Sequence, residues 1–557
     1  MRYVIYGANR VAKDFLYIFD QLDVTCVVDD GWDKESFAGY PVLREDYFSR
    51  KASDEQIIVC GFTKEEQISR LDEMGFSYGT DYLYEEDFFH QLDTLHIPKE
   101  RKLVMWGTGT MAKWFHEQCG NYEFEFYIDS YSRAESFLGK EIKRPQEIRN
   151  WEELFVIIGV GKDREIREKL QELGLREYED FARYQSITGM PSKMLRKTIF
   201  DQSYYDLQCN TMLNHLEILH DGDTRCCCTT FVSQNLDNIF QKDPQSLWHS
   251  NQHKVMCLST ENRTFSFCDK SMCPLFVAKD KQSIKESDEP YHVISDVPKT
   301  LVLGYDSSCN LSCSTCRREL HFAKGPEQEM VEQITGKVRE EYLPNCQFLV
   351  LAGDGEVFAS PNYRKIYETE NCNPKYIRLL SNGTLFTPEN WEKFIQGKSG
   401  KVMLTVSVDA ATKETYEHIR RNGNFDALQK NMEFAADLRR KGSLSYFRMN
   451  FVVQRENYQE MIPFVKWGER LNADEVFFTK ILNWGTYTPE EFLEVSMMEA
   501  DGITPKPELK KILENPVMKS KIVDLGTIQY THKVDDTSMV ENYYMWELEK
   551  RGGKLFT

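Results

Sequence analysis

The chain has 557 residues, 41% hydrophobic and 13% aromatic, an ordinary globular composition with room for three or four domains. Its net charge of −19 at pH 7 argues against a nucleic-acid partner and against docking on an anionic membrane, since both need clustered cations. No eighteen-residue apolar run suggests a membrane span, and the opening MRYVIYGANR lacks the apolar core of a signal peptide, so the expected location is cytoplasmic.

The first two hundred residues hold a duplication. RYVIYGANRVA opens the chain and KLVMWGTGTMA comes a hundred residues later, aligning Gly7 with Gly107 and Asp29 with Asp129. ESFAG and ESFLG match, as do the strand-like IIVCGFTK and VIIGVGK and the helix ends LDEMGF and LQELGL. These landmarks predict two tandem βαβ-type modules, 1–97 and 98–190. In the second, Gly107 and Gly109 follow a strand and precede a helical run, and Asp129 ends the next strand. That spacing is close to a dinucleotide fingerprint: glycines for the turn, a helix N-terminus for phosphate, an acid for ribose. The first module has Asn9 where the second glycine would stand. Nucleotide or nucleotide-sugar binding at the second module, and a purely structural or docking role, both stay open.

Residues 186–205, with Gly189 and Pro191, read as a linker. A cysteine-rich region spans 206–285, and the charged stretch 279–290 separates it from the last domain. From Thr300 onward LVLGY, FLVLAG, YIRLLS, VMLTVSVD, FRMNFVV and EVFFTKI read as six strands alternating with helical patterns. Such alternation implies parallel strands joined by crossover helices, hence a partial β/α barrel over 295–505 with its chemistry at the C-terminal strand ends. Residues 506–557 form a polar extension without a pattern.

Ten of the fifteen cysteines fall between Cys209 and Cys316. In a large cytosolic chain, closely spaced cysteines point to metal rather than to disulfides. Cys309, Cys313 and Cys316 lie just beyond the first barrel strand in C-x3-C-x2-C spacing. Three neighbouring thiolates with no fourth leave one iron of a four-iron cluster open to a small molecule. A zinc site usually uses two C-x2-C pairs, or a cysteine pair with a histidine pair, and neither arrangement fits.

This loop resembles that of the radical S-adenosylmethionine (SAM) superfamily, whose unique iron is chelated by the amino and carboxylate groups of SAM. Thr315 stands where the family often has an aromatic residue. The second strand ends in Gly353-Asp354-Gly355-Glu356, similar to the family's Gly-Gly-Glu-Pro motif that contacts the SAM amino group, with Asp354 and Val357 as departures. Ser381-Asn382 at the third strand end, and Ser407 and Asp409 at i, i+2 on the fourth, resemble the polar residues that bind the ribose or the methionine carboxylate. Arg420 is either a partner for that carboxylate or a surface arginine. The resemblance covers about 300–500. It implies a SAM-binding [4Fe-4S] cluster, SAM itself, a reducing partner such as flavodoxin or ferredoxin, and a 5′-deoxyadenosyl radical that abstracts hydrogen from an unactivated C–H bond.

Upstream, Cys209, Gly222 and Cys227 in C-x12-G-x4-C spacing, followed by Cys268 and Cys273, resemble the first half of the SPASM/twitch motif. The resemblance implies an auxiliary [4Fe-4S] cluster on Cys209, Cys227, Cys268 and Cys273. Zinc is the alternative there, and Cys226, Cys228 and Cys257 are alternative ligands. LEILHDGDTRCCC suits a hairpin turning at Asp221-Gly222. Tyr416 and His418 fall near the SAM face, and Trp484 and Tyr487 come after the last strand; packing roles are the simpler reading for all four.

The expected architecture is α/β: two tandem Rossmann-like domains, a small Cys-rich SPASM/twitch-like domain, and a partial (β/α)6 radical SAM barrel. The expected function is that of a radical SAM oxidoreductase or isomerase acting on a sugar or nucleotide-linked sugar. Alternatives are a peptide-modifying maturase and, from another class, a non-catalytic iron–sulfur or nucleotide-binding scaffold or sensor.

Overall fold

The computed structural model describes residues 1–529 except 62–63, 90–96, 99, 110–111, 114, 117–121, 161–162, 188–206, 229–230, 233–235, 269–272, 278–291, 318, 352–354, 370–372, 399, 483–486 and 488. Gly189, Pro191, Gly353, Asp354 and Trp484 therefore lie outside the described residues.

Short runs rich in Val, Ile, Tyr and Phe build the first sheet: β1 (Arg2–Tyr6), β2 (Val24–Val28), β3 (Ser36–Phe37), β4 (Tyr40–Leu43), β5 (Glu55–Val59) and β6 (Tyr82–Tyr84). Its order is β3-β4-β2-β1-β5-β6, parallel except for the short β3–β4 hairpin. The central strands are buried on both faces, as a helix-covered parallel sheet requires: Val4, Ile5, Ile57 and Ile58 are all inaccessible. The helix Arg10–Ile18 starts at Asn9, whose side chain accepts the Ala12 N–H as an N-cap.

The second sheet comprises β7 (Lys102–Trp106), β8 (Tyr127–Ile128), β9 (Ser136–Phe137), β10 (Lys140–Lys143), β11 (Leu154–Ile158) and β12 (Phe181–Arg183). Its order, β12-β11-β7-β8-β10-β9, is the first sheet read from the other edge, so the sequence repeat is also a repeat of topology.

The third sheet has nine strands in chain order apart from its first hairpin: β13 (His215–Leu219), β14 (Thr224–Arg225), β15 (Thr300–Gly304), β16 (Phe348–Leu351), β17 (Tyr376–Ser381), β18 (Lys401–Ser407), β19 (Leu444–Val453), β20 (Glu475–Lys480) and β21 (Val523–Asp524). β15 to β20 coincide with the six strands expected from the sequence. β13 and β14 form the hairpin read around Gly222, but β13 also pairs in parallel with β15 over its whole length. Backbone hydrogen bonding thus crosses the charged break at 279–290. At the other edge β21 extends β20, so the stretch after 505 contributes a strand and the helix Pro507–Leu513. A two-residue strand carries too little pattern to be seen in sequence.

Alternation along these strands separates two faces. Leu301, Leu303, Leu404, Val406, Phe451 and Phe478 are buried, and Phe451 meets Phe464 of the helix Met461–Arg470 with ring centroids 4.8 Å apart. The opposite face is polar and half-buried: the Arg448 guanidinium lies 3.7 Å from the Phe477 ring centre and 3.4 Å from Glu475. The first unit joins this body where Lys254, on the helix Asn251–Glu261, meets Asp20 at 2.6 Å. The second unit's Arg167 reaches Asp237, beyond the β13–β14 hairpin, at 3.9 Å. Among the described residues no helix is long and apolar enough to cross a membrane.

Candidate active site

The loop after β15 is pinned from three sides. Asp306, fully buried, accepts the Ser308 N–H at 2.9 Å and also binds Ser360 and Asn362, which begin the helix behind β16. The Cys309 N–H donates to the His321 carbonyl at 2.8 Å. Ser312 and Ser314 donate through their backbone to Arg421 and Ile419, while the Arg421 side chain returns to the Ser312 carbonyl at 2.7 Å. Sequence reasoning passed over Asp306, Ser360, Asn362 and Arg421, because a buried acid at a strand end has no spacing signature.

Cys309 and Cys313 are buried and Cys316 is exposed. Each sulfur faces N–H donors: Leu311 N at 3.4 Å and Asn382 Nδ2 at 3.8 Å for Cys309, Arg420 Nη1 at 3.5 Å for Cys313, and Arg317 Nε at 3.4 Å for Cys316. Donors of this kind stabilise thiolates, and three thiolates on one short loop are the donor chemistry of an iron–sulfur cluster, so the residues fit that group. Among the described residues no three Cys, His, Asp or Glu side chains are grouped to hold a metal ion. A cluster takes one cysteine per iron, so its sulfurs stand further apart than the ligands of one ion.

Gly355 lies against this loop rather than in open space. A Cβ there would sit 2.3 Å from the Asp306 carbonyl oxygen and 2.7 Å from that of Ser308, which explains the glycine without any ligand. Glu356 comes next, 1% exposed. It accepts from the Asn382 N–H at 2.6 Å and the Ser381 hydroxyl at 2.8 Å, tying the ends of β16 and β17 together. Burial pushes its carboxyl up to about 7, against the opposing pull of the Asn382 and Ser381 donors. Asn382 also reaches Asn310 at 3.0 Å, so the chain from Glu356 to Asn310 leads back to the cysteine loop.

Ser407 closes β18, half-buried and level with Asn450. Asp409 is beyond the strand, with φ +64, so strand alternation does not set its direction. Its carboxylate accepts the Val452 N–H at 2.8 Å and pairs with Arg420 at 2.5 Å, while its carbonyl accepts from Asn457 at 2.9 Å. Burial works against the Arg420 charge, but Asp409 and Cys313 more than offset it and hold the pKa above its ordinary value. Arg420 is thus a largely buried link between Asp409 and Cys313, its side chain 12% exposed. The helix that leads to it, Lys413–Ile419, is clasped at its start by Glu460, which accepts from Thr412 N at 3.0 Å and Thr412 Oγ1 at 2.6 Å. His418 points outward to Glu456, whereas the Tyr487 hydroxyl donates to the Ser314 carbonyl at 3.3 Å, beside the cysteine loop.

In the cysteine-rich region Cys209, Cys226 and Cys257 lie within electrostatic reach of one another, and Cys227 within reach of Cys209, Cys226, Cys228 and Cys273. Burial pushes the Cys226, Cys227 and Cys257 thiols well up. Cys268 is also buried. The expected set thus has close competitors in Cys226, Cys228 and Cys257.

The fingerprint residues of the second unit are occupied by their own chain. Asp129 accepts from Thr108 Oγ1 at 2.6 Å, Tyr131 N at 2.8 Å and Ser132 N at 2.7 Å. Asp29 does the same in the first unit, accepting from Ala8, Gly31 and Trp32 N–H groups. Gly107 has φ +127, and a Cβ on it would meet the Gly159 carbonyl oxygen at 2.8 Å; a Cβ on Gly109 would meet nothing within 4 Å among the described residues.

The profile of the Radical SAM superfamily matches residues 307–468. The chain is 25% identical over 180 residues to the AdoMet-dependent heme synthase of Methanosarcina barkeri, covering 32% of this chain and 50% of that protein. It is 23% identical over 178 residues to the Mycofactocin maturase MftC of Mycolicibacterium smegmatis, covering 32% and 43%. The chain therefore spans about half the length of the curated relatives it matches. Among solved structures, Streptococcus suis SuiB bound to precursor peptide SuiA is similar with TM-score 0.31 and 14% identity, over 44% of this chain and 55% of that one. Residues 307–468, from the cysteine loop to the helix behind β19, are a radical SAM domain.

Proposed function

We propose that the chain is a radical SAM enzyme whose [4Fe-4S] cluster is held by Cys309, Cys313 and Cys316. The observation that carries this reading is the convergence of N–H donors on all three sulfurs within a domain matched to the superfamily. When bound, the cluster and SAM supply one-electron reductive cleavage and hydrogen abstraction from an unactivated C–H bond. The protein's own contribution is placement. Glu356, Ser381 and Asn382 hold two strand ends against the cysteine loop, and the Asp409–Arg420 pair fixes a cation beside Cys313. In this reading Gly353, Asp354, Gly355, Glu356, Ser381, Asn382, Ser407, Asp409 and Arg420 surround SAM, and a flavodoxin- or ferredoxin-type donor supplies the electron.

Cys209, Cys227, Cys268 and Cys273, with Cys226, Cys228 and Cys257 as competitors, are proposed to hold an auxiliary cluster. For the substrate, the sugar or nucleotide-sugar reading depends on nucleotide binding in the second unit, where Asp129 already carries three hydrogen bonds. The peptide-modifying reading draws support from the maturase named among the relatives, and it is the one preferred.

The test is anaerobic reconstitution followed by incubation with reductant and SAM. The wild type should form 5′-deoxyadenosine and hold roughly eight irons, from two four-iron clusters. The triple variant Cys309→Ala/Cys313→Ala/Cys316→Ala should form none and fall to about four. Equal iron in both proteins would refute the assignment, and would leave the scaffold alternative.

A further inference from the structure

One group of polar atoms in the radical SAM domain is buried and incomplete. Tyr416 is 0% exposed, yet its hydroxyl finds no hydrogen-bond partner among the described residues. The Nε of Arg420 is buried and unpartnered as well, although its Nη1 lies 3.5 Å from Cys313 Sγ and its Nη2 is 2.5 Å from Asp409. The two residues stand at i, i+4 along and just past the helix Lys413–Ile419, which puts them on the same side. An unpaired hydroxyl and an unpaired guanidinium N–H in one dry place are costly, unless a bound group completes them.

The ring of Tyr416 has little freedom to turn elsewhere. A Cβ on Gly423 would lie 2.7 Å from its Cε1 and 3.0 Å from its hydroxyl oxygen, so the ring is pressed against the following turn, with Phe425 at 5.5 Å on another side. Arg420, on the same side of this helix, reaches Cys313 Sγ at 3.5 Å and the Ser314 N–H donates to the Ile419 carbonyl at 2.9 Å, so this end of the helix lies against the cysteine loop. Glu460 clamps the first turn of the same helix, fixing Tyr416 and Arg420 as one body.

We propose that Tyr416 and Arg420 form a donor pair for the Cys313 corner of the cluster and raise its reduction potential. The inference rests on the cluster assignment above and adds to it. Reduction makes a cluster more negative, and donors aimed at its sulfurs stabilise that added charge. Arg420 brings a full charge and Tyr416 a neutral hydroxyl; neither changes protonation in this role.

The experiment is an anaerobic redox titration of the reconstituted full-length protein without SAM, followed by electron paramagnetic resonance, with iron content measured beside it. Signal surviving in the triple cysteine variant is subtracted to isolate the cluster in question. Tyr416→Phe removes only the hydroxyl and should retain wild-type iron. Its ratio of reduced to oxidised cluster at a fixed potential should fall roughly three- to tenfold, the worth of one hydrogen bond. Gly423→Ala, which displaces the ring without removing the hydroxyl, should shift the curve the same way. Coincident titration curves at full iron content would overturn the donor pair and leave the enzyme assignment standing. An unchanged curve with weakened SAM binding would also overturn it, by assigning the hydroxyl to the nucleotide. Absence of iron from the wild type would remove both readings together.

Discussion

Glu356 shows how a single side chain can be needed for assembly and read as a ligand contact. Its two strong donors come from the next strand end, and its neighbour Gly355 is a glycine because two carbonyl oxygens of the cysteine loop leave no room for a Cβ. Burial raises its pKa from the ordinary carboxyl range to about 7. A folded-state pKa above the unfolded one means that the native protein binds the proton more tightly. The stability so gained is fully present below the unfolded value of 4.5 and is lost as pH rises through about 7. Chemical denaturation at pH 5 and pH 8 should therefore show wild type losing stability relative to Glu356→Gln, which has no charge to bury. Parallel behaviour of the two proteins across that window would show that the carboxyl is ionised throughout.

Elements reveal what the repeated glycines and acids do. Asp29 and Asp129 each hold the loop after the unit's first strand to the loop after its second, accepting two backbone N–H groups of the second loop and, from the first, the Ala8 N–H in one unit and the Thr108 hydroxyl in the other. Gly107 is needed where β7 ends against the turn after β11, whereas a Cβ on Gly109 would meet none of the described residues within 4 Å. Gly107→Ala should destabilise the second unit by about 1–3 kcal/mol, from steric overlap and a left-handed backbone. Gly109→Ala should shift stability by less than about 0.5 kcal/mol. Thermal melts of both variants check this. If a nucleotide also raises the melting temperature of wild type but not of Gly109→Ala, the phosphate-loop reading gains over the structural one.

The whole molecule places its boundaries where hydrogen bonding, not composition, ends. β13 shields one edge of the strands that carry the radical SAM domain, and β21 extends the other. An exposed edge strand offers unpaired N–H and C=O groups to any other chain. A chain of residues 207–529 should accordingly be recovered as a soluble monomer. Residues 295–505 alone should aggregate, having lost β13 and β14 at one edge and β21 at the other. Size-exclusion chromatography of the two fragments decides it, and a monodisperse shorter fragment would show that the core sheet tolerates bare edges.

Periodicity and local spacing were enough for some of this. The tandem repeat, the six strands from β15 to β20, the hairpin at Gly222 and the cysteine loop were all legible, because each depends on residues close together in the chain. What depends on distant partners was not. Asp409 looked like a strand residue and proved to be a left-handed turn residue paired with Arg420; Asp129 looked like a ribose ligand and is taken up by Thr108, Tyr131 and Ser132. Asp306 gave no signal and Tyr416 read only as a packing residue near the SAM face, since a buried polar group acquires its role only when other elements remove the water around it. Local sequence determines which backbone forms and which thiolates lie side by side. Desolvation and long-range hydrogen bonding, which exist only in the folded chain, decide which polar side chains are already satisfied and which are left to meet a cofactor.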